Sequence, residues 1–202
     1  ECLLSSTYEP SSKTKMKLRA APGAGTMYLQ SECAEALAEL FAGAEEAGYK
    51  LYLKSAYRAY KTQKTMYNNR LERNNGKDDG WVSKPGASDH QTGLGCDVVP
   101  GSWKDKSMNS NMASTPECQW MAEHCYEYGF VIRYPEDKQD ITEINYEPWH
   151  LRYVGKEVAR YIWRNGLCLE EFHEQLQAAI DAYLAAGGDA RRVEDLIQTS
   201  AE

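Results

Sequence analysis

The stretch that decides the fold runs from Ser88 to Pro100 and reads SDHQTGLGCDVVP. It begins with polar residues around His90, turns at two glycines, and ends in an apolar run. That run, Gly95 to Val99, predicts a short buried strand. His90 and Asp97 are seven residues apart, with the turn between them. Because a glycine-rich turn lets the chain fold back, we expect this imidazole and this carboxylate to meet.

A second phrase, EPWH at 147–150, contains another of only four histidines in the chain. His90, Asp97 and His150 together offer two imidazoles and one carboxylate, which suits a catalytic zinc with an open coordination position. Glu147 lies three residues before His150, where a carboxylate can accept a proton from water. The alternative is that these histidines are ordinary core or surface residues, but two such phrases favour a metal site.

Composition limits the possible classes of protein. The chain has 202 residues, 42% of them hydrophobic and 11% aromatic, which predicts one ordered domain with a real core. Its net charge of −7 argues against nucleic-acid binding. No apolar run approaches the roughly 18 residues of a membrane helix. The chain begins at Glu1 without a visible signal peptide, as expected of a mature or trimmed form.

The cysteines allow two interpretations. None forms a CxxC pair, so a structural zinc knuckle is not expected. An exported protein could pair some of them, and buried free thiols are an equal alternative. The six positions are Cys2, Cys33, Cys96, Cys118, Cys125 and Cys168.

The spacing of apolar residues predicts a mixed α+β domain. Short strands that do not alternate regularly with helices favour this class over a doubly wound sheet. We expect an N-terminal arm at 1–22, a single domain at 23–187 and a charged tail at 188–202. The periodicity predicts helices at 31–47, 59–73, 114–129, 155–165 and 169–186, and strands at 49–57, 95–99, 130–134 and 149–153.

Four motifs in order resemble those of the VanY-type D-alanyl-D-alanine carboxypeptidases. SAYRAYKTQ at 55–63 is similar to the family's SxYRxxxxQ segment, and SDHQTGLGCD at 88–97 to its SxHxxGxxxD motif. EPWH at 147–150 is similar to ExxH, and YVGKE at 153–157 to the stretch after the last ligand. The resemblance covers about residues 30–175. It implies a compact single domain with a small antiparallel sheet flanked by helices, as in hedgehog and DD-peptidase domains.

The resemblance also implies the chemistry of a zinc peptidase that trims D-alanine from peptidoglycan stem peptides. By matching position, His90, Asp97 and His150 would be the zinc ligands. Glu147 would be the base that activates the zinc-bound water. The expected location is outside the cytoplasm, at the bacterial cell envelope, with any membrane anchor on a segment absent from this chain. We expect a monomer.

The substrate side of the site is inferred from the same motifs. Arg58, Gln63 and Ser88 would hold the terminal D-residue, with Arg58 also counted among the catalytic groups. A guanidinium can bind a terminal carboxylate through two parallel hydrogen bonds. Trp149 is expected either to line the substrate groove or to pack in the core.

Other functions remain open at this stage. Cleavage of D,D-pentapeptides and of L,D-tetrapeptides is not distinguished. An endopeptidase of the same superfamily is less favoured, because Arg58 and Gln63 suggest a substrate that ends in a carboxylate. A zinc-containing peptidoglycan-binding module without turnover is a third alternative, and the presence of Glu147 argues against it.

The chain departs from the family's usual pattern in two places, at one residue and at one pair. Asp89 stands where Glu is more usual, and the pair Gly95-Cys96 replaces a small-aliphatic pair. We expect neither to touch a proposed ligand. The Cys96 thiol could itself bind metal, but strand alternation should point it away from Asp97. His124 and His173 match no motif and are not expected to be ligands.

Overall fold

The computed structural model describes residues 3–192, apart from the side chain of Arg191. It confirms a mixed α+β fold with a small antiparallel sheet and flanking helices. The elements in chain order are β1 (Thr14–Lys15), β2 (Tyr28–Leu29), α1 (Ser31–Glu46), β3 (Leu51–Ser55), α2 (Tyr60–Arg73), β4 (Gly95–Pro100), α3 (Pro116–His124), β5 (Phe130–Ile132), α4 (Gln139–Thr142), β6 (His150–Tyr153), α5 (Lys156–Asn165) and α6 (Leu169–Ala185).

The main sheet has four strands in the order β3-β4-β6-β5, and each neighbouring pair is antiparallel. Strand β4 is therefore central. Asp97 on β4 lies directly opposite His150 on β6, and Ser55 on β3 is its partner on the other side. Directly opposed residues of paired strands have neighbouring side chains. The register of the sheet thus places two of the expected ligands side by side.

The core lies between this sheet and α1. Leu37 and Leu40 of α1 and Leu53 of β3 are fully buried. Cys96 and Val98, the neighbours of Asp97 along β4, are also fully buried and belong to the same apolar cluster. Successive side chains of a strand point to opposite faces. The expected orientation of Cys96 and Val98 toward the core is therefore confirmed.

The helix predicted at 114–129 divides into two parts. Its α-helical part begins after Thr115, whose side chain accepts a hydrogen bond from the Cys118 amide. It ends at His124, and a 3₁₀ turn continues to Tyr128. Gly129 then adopts a φ of 86°, in the left-handed region that a glycine reaches without strain. The break turns the chain into β5.

The N-terminal segment contacts the domain at several places. Strand β1 pairs with β2, and the Ala21 amide donates to the Leu53 carbonyl on the edge of the sheet. The side-chain amide of Gln91 donates to the Ser5 carbonyl. These bonds tie the segment to the turn that carries His90. The boundaries at 22/23 and 187/188 stay predictions, and residues 193–202 of the expected tail lie outside the described residues.

The cysteines within the described residues are all free and buried: Cys33, Cys96, Cys118, Cys125 and Cys168. For these five, the free-thiol interpretation is confirmed. Cys2 lies outside the described residues. In the described part of the chain, none of the helices combines the length and the apolar composition that a bilayer span requires.

Candidate metal centre and substrate cavity

Three elements bring the expected ligands together. His90 lies in the 3₁₀ turn Asp89–Thr92, Asp97 lies on β4, and His150 begins β6. Asp97 Oδ1 is 3.5 Å from His90 Nε2 and 3.7 Å from His150 Nδ1. One donor atom from each residue lies within 4.8 Å of the others, and all three side chains are buried.

The hydrogen bonds of the two rings determine which nitrogen faces the cluster. His90 Nδ1 lies 2.7 Å from the Ala56 carbonyl, which can only accept, so Nδ1 donates and Nε2 is left toward Asp97. His150 Nε2 lies 2.8 Å from Asp89 Oδ1, so its Nδ1 atom faces the cluster instead. Each ring thus presents one nitrogen to the cluster, Nε2 of His90 and Nδ1 of His150, while the other nitrogen is bonded to the protein. The Nδ1 atom of His150 also lies 2.9 Å from Glu147 Oε2.

Asp89 corrects one expectation from the sequence. It was expected not to touch a proposed ligand, which is wrong, because its carboxylate accepts from His150. The structural reason is that the 3₁₀ turn directs Asp89 inward, where it is only 5% exposed. Its Oδ2 atom lies 3.6 Å from Arg152 Nη1 and 4.0 Å from Arg133 Nε. Burial raises the pKa of Asp89, but His150 and the two arginines outweigh it and hold this pKa well below its usual range.

The buried charges shift several pKa values in the cluster. Burial disfavours the charged form of His150, but Asp89 outweighs it and, with Glu147, raises the pKa of His150 to about 10. Burial likewise opposes ionisation of Asp97, but His90 and then His150 lower its pKa to about 2. Burial raises the pKa of Glu147 above its ordinary value, against the opposing effect of His150. Perturbed groups of both signs gathered in a cleft are typical of a functional site.

Asp97 shows that the cluster suits a cation. Its Oδ1 atom is buried and has no hydrogen-bond partner among the described residues, although a ring nitrogen faces it from each side. A buried carboxylate oxygen without a partner is costly. Two imidazoles and one carboxylate are a donor set that zinc accepts, with a position left open for chemistry. The residues present therefore fit a zinc ion.

The described residues contain one group with metal-binding geometry, and it has no thiol. Cys96 faces the core, and burial raises its pKa well above the ordinary value, so it stays protonated. His124 is half-exposed and pairs with Glu127 at 3.0 Å on the protein surface. His173 likewise lies outside the cluster. The expectation that His124 and His173 are not part of this group agrees with the structure.

A cavity of about 340 Å³ opens beside the triad. It is bordered both by motif residues and by residues that no motif marked. The motif residues are Arg58, Gln63, Ser88, His90, Asp97, Glu147, Trp149 and His150. The others are Met66, Arg70, Trp81, Val82, Ser83, Met108 and Asn109.

Arg58 reaches this cavity from the end of β3. It donates to Gln63 Oε1 at 2.9 Å and to Ser55 Oγ at 3.0 Å, and it lies 3.8 Å from Asp97 Oδ2. Gln63 is 1% exposed, and its side-chain amide nitrogen donates to the Ser83 carbonyl. Gln63 therefore lies behind Arg58 and orients it, with the guanidinium directed at the cavity.

Trp149 packs in the core, as one of its two expected roles requires, and its role at a substrate groove stays a prediction. It is only 3% exposed and belongs to the core cluster, yet it also borders the cavity. Its ring stacks on Trp81 with centroids 6.4 Å apart. Trp81 had no signal in the sequence beyond being an aromatic residue in a polar loop. Ser88 borders the cavity from the side of the metal cluster.

The cleft contains a buried triad of two histidines and an aspartate, with a glutamate beside it. This arrangement is typical of the active sites of metal-dependent hydrolases. Comparison with known proteins gives the family. A family model described as "VanY: D-alanyl-D-alanine carboxypeptidase" matches residues 26–156, and the chain belongs to this family.

Curated relatives agree with this membership. The chain is 42% identical over 151 residues to the putative carboxypeptidase YodJ of Bacillus subtilis, covering 74% of this chain and 55% of that protein. It is 34% identical over 146 residues to a D-alanyl-D-alanine carboxypeptidase of Enterococcus faecalis, covering 67% of this chain and 52% of the relative. The chain thus spans about half the length of these relatives.

Solved structures show the same fold. One is the structure of an LdcB LD-carboxypeptidase, which is reported to reveal the molecular basis of peptidoglycan recognition. It superposes on this chain with a TM-score of 0.79 and is 39% identical in sequence. The match covers 85% of this chain and 81% of that one. A second is a mutant of the vancomycin-resistance D,D-pentapeptidase VanY in complex with Zn(II), with a TM-score of 0.68 and 28% sequence identity. The match covers 84% of this chain and 93% of that one. A third is VanYB in complex with D-alanine-D-alanine, with a TM-score of 0.70 and 28% sequence identity. The match covers 85% of this chain and 92% of that one.

Proposed function

We propose that this chain is a zinc-dependent carboxypeptidase that removes the C-terminal D-alanine from peptidoglycan stem peptides. Family membership supports the reaction, and the relatives bound to Zn(II) and to D-alanine-D-alanine support the cofactor and the substrate class. Since such peptides belong to the bacterial cell wall, the enzyme would act at the cell envelope. The observation that carries the proposal is the unpartnered Asp97 Oδ1 atom between two ring nitrogens.

The ligands of the metal would be His90 through Nε2, His150 through Nδ1, and Asp97. A zinc ion bound there supplies a Lewis acid that lowers the pKa of water and polarises a peptide carbonyl. The orientation of both rings supports this assignment, because the nitrogens that face away already have partners in Ala56 and Asp89.

Glu147 would move the proton. Its carboxylate is 8% exposed, borders the cavity, and lies 2.9 Å from His150 Nδ1. A ring nitrogen that binds metal cannot also donate to a carboxylate, so metal binding would free this oxygen for a water molecule. Burial raises the pKa of Glu147, which makes it a better proton acceptor than an exposed glutamate. We assign Glu147 to take the proton of the attacking water and deliver it to the departing D-alanine amine.

Arg58 would make the enzyme act only at a chain end. Its guanidinium is held by Gln63 and Ser55, so little side-chain freedom is lost when a ligand binds. A planar fork of donors matches the two oxygens of a terminal carboxylate. We assign Arg58 to the substrate's carboxylate, Gln63 to the orientation of Arg58, and Ser88 to a contact with the terminal residue.

The test is release of D-alanine from synthetic stem peptides, followed by mass spectrometry. The protein is first stripped with a chelator and then titrated with zinc. We expect no release from the stripped protein and full recovery at one zinc per chain. A tetrapeptide and a pentapeptide, measured in parallel, separate L,D- from D,D-cleavage. Absence of release from both peptides at full zinc occupancy would contradict the proposed function.

A further inference from the structure

We propose that Asp89 positions the ring of His150 so that its Nδ1 atom faces the metal site, and that Gly95 is needed to leave room for the Asp89 carboxylate. Asp89 is thus a positioning residue that acts through a ligand and does not touch the substrate. The inference deepens the proposed function and rests on its metal site. It concerns the two places at which this chain departs from the family's usual motif.

The bond between Asp89 and His150 determines the direction of the ring. Asp89 Oδ1 lies 2.8 Å from Nε2, and both side chains are 5% exposed. The ring of Tyr134 packs edge-on against the His150 ring, with centroids 5.0 Å apart. With Nε2–H held by a carboxylate, the lone pair available for a metal is on Nδ1. Without this acceptor, the proton of the neutral ring is free to occupy either nitrogen.

Two arginines lie near the Oδ2 atom of Asp89, which is buried and has no hydrogen-bond partner among the described residues. Arg152 approaches its Oδ2 atom to 3.6 Å, and Arg133 to 4.0 Å. Arg133 is itself fixed, because its guanidinium donates to both oxygens of Glu170. An anion that accepts from one side and is attracted from the other has little freedom to rotate away. The charges of the two arginines thus favour the position in which Asp89 accepts from His150.

Gly95 provides the space for this arrangement. A Cβ atom on residue 95 would lie 2.7 Å from Asp89 Oδ1 and 2.9 Å from its Cγ. Both distances are shorter than real Cβ contacts, so the carboxylate would have to move. The atom that would be displaced is the same Oδ1 that accepts from His150. The φ of Gly95 is not in the left-handed region, so space, not backbone conformation, is the reason for glycine here.

The experiment measures zinc affinity and the protonation of the ligand rings, independently of turnover. Affinity is determined by competition with a fluorescent chelator. Ring protonation is determined by NMR of the zinc-loaded protein with ¹⁵N-labelled histidine. The variants are Asp89→Ala, Asp89→Asn, Gly95→Ala and the double variant Asp89→Ala/Gly95→Ala. Gly101→Ala is the matched control, because a Cβ there would only reach ordinary contact with Tyr52 at 3.4 Å.

We expect Asp89→Ala to weaken zinc binding by about 10- to 100-fold, as removal of a carboxylate behind a histidine ligand usually does. Asp89→Asn keeps an oxygen that can accept a hydrogen bond from His150 Nε2–H, so it should weaken zinc binding less than Asp89→Ala does. Gly95→Ala should weaken binding strongly in the wild-type background and by a smaller factor in the Asp89→Ala background, where only the 3.2 Å approach of the added Cβ to the backbone carbonyl carbon of residue 89 remains. In zinc-loaded wild type, His150 should carry its proton on Nε2, whereas His90 should carry it on Nδ1.

The outcomes separate this inference from the proposed function. Zinc binding by Asp89→Ala as tight as by wild type, or a proton on Nδ1 of zinc-loaded His150, would overturn the inference alone. If Gly95→Ala weakens zinc binding by the same factor in the wild-type and Asp89→Ala backgrounds, the role proposed for Gly95 is overturned. No zinc binding by wild type would overturn the proposed function together with the inference. If Asp89→Ala or Gly95→Ala prevents folding, the ring protonation of zinc-loaded wild type decides the question, because a proton on Nδ1 of His150 overturns the inference without any variant.

Discussion

Two parts of the cavity are built differently. One part, the floor, comprises His90, Asp97, Glu147 and His150, whose side chains are buried. The other part, the wall, comprises Met66, the loop segment 81–83 and the segment 108–109, which are partly or fully exposed. In the proposed function, the floor would carry the chemistry, and the wall would contact the rest of the peptide. A motif search therefore identifies the chemistry more readily than the substrate.

The largest expected effect falls on the floor. Glu147→Gln keeps the shape of the side chain but removes the proton acceptor. We expect kcat to fall by roughly 10²- to 10⁴-fold, while the zinc content remains unchanged. Steady-state rates and elemental analysis of the same preparation measure the two quantities. Glu136→Gln, an exposed carboxylate, is the control. Near-normal turnover of zinc-loaded Glu147→Gln would assign the proton transfer to another group.

The next effect tests the boundary between floor and wall, where Arg58 lies. Arg58→Lys keeps the charge but loses the planar fork, and we expect kcat/KM to fall by about 10- to 100-fold, the value of a charge-assisted hydrogen bond. Amidation of the peptide's C-terminus should lower the kcat/KM of wild type by a similar factor. It should lower the kcat/KM of Arg58→Ala only slightly further. If the two penalties simply multiply, Arg58 does not bind the carboxylate. Zinc content serves as a check, because Asp97 lies 3.8 Å from the guanidinium.

A smaller effect is expected on the wall. Trp81→Ala removes the ring that stacks on Trp149 at the edge of the cavity. We expect KM to rise by about 3- to 10-fold with little change in kcat, because the lost contacts are made equally by bound substrate and transition state. The ratio of rates on tetrapeptide and pentapeptide should also change. Trp163→Ala, which removes a half-exposed ring stacked on Tyr126, should leave both quantities unaltered.

The smallest effect concerns the attachment of the wall. Arg70 donates to the Asp79 carboxylate, and this hydrogen bond lowers the pKa of Asp79. A depressed folded-state pKa means that the stabilisation is present above the unfolded pKa, about 3.9, and is lost as pH falls through the lower folded value. We expect Asp79→Asn to cost less than about 1 kcal/mol at neutral pH, because the pair is partly exposed. Denaturant unfolding at several pH values measures this, and a difference that stays constant below pH 4 would contradict it.

The sequence was sufficient for the elements of the floor. Apolar periodicity predicted β4, and alternation along it correctly separated Asp97 from Cys96 and Val98. Spacing alone could not give the register between β4 and β6, since strand pairing is a non-local property. That register, which places Asp97 opposite His150, is what the structure adds.

The contacts that the sequence analysis missed depend on this non-local geometry. Asp89 reaches His150 only because the 3₁₀ turn directs it inward while β6 lies beside β4. An acidic residue next to a ligand is most often solvated, so its identity alone gave no reason to expect burial. Trp81 and Met108 lie in segments without periodicity, where side-chain direction is set by the packing of the loops. Motifs therefore marked the ligands but not their supports or the wall.

The five buried thiols have a consequence for how the protein would be made. Burial raises the pKa of Cys33 and Cys125 to about 12 and that of Cys118 to about 11, and it also raises the pKa of Cys96 and Cys168. The thiolate is the form that exchanges with disulfides and captures metals, so at neutral pH these sulfurs are inert. Folding of the described domain thus needs no oxidation step, which takes seconds to hours. Once folded, the domain would keep the same structure under reducing and oxidising conditions, because its described sulfurs are buried and protonated.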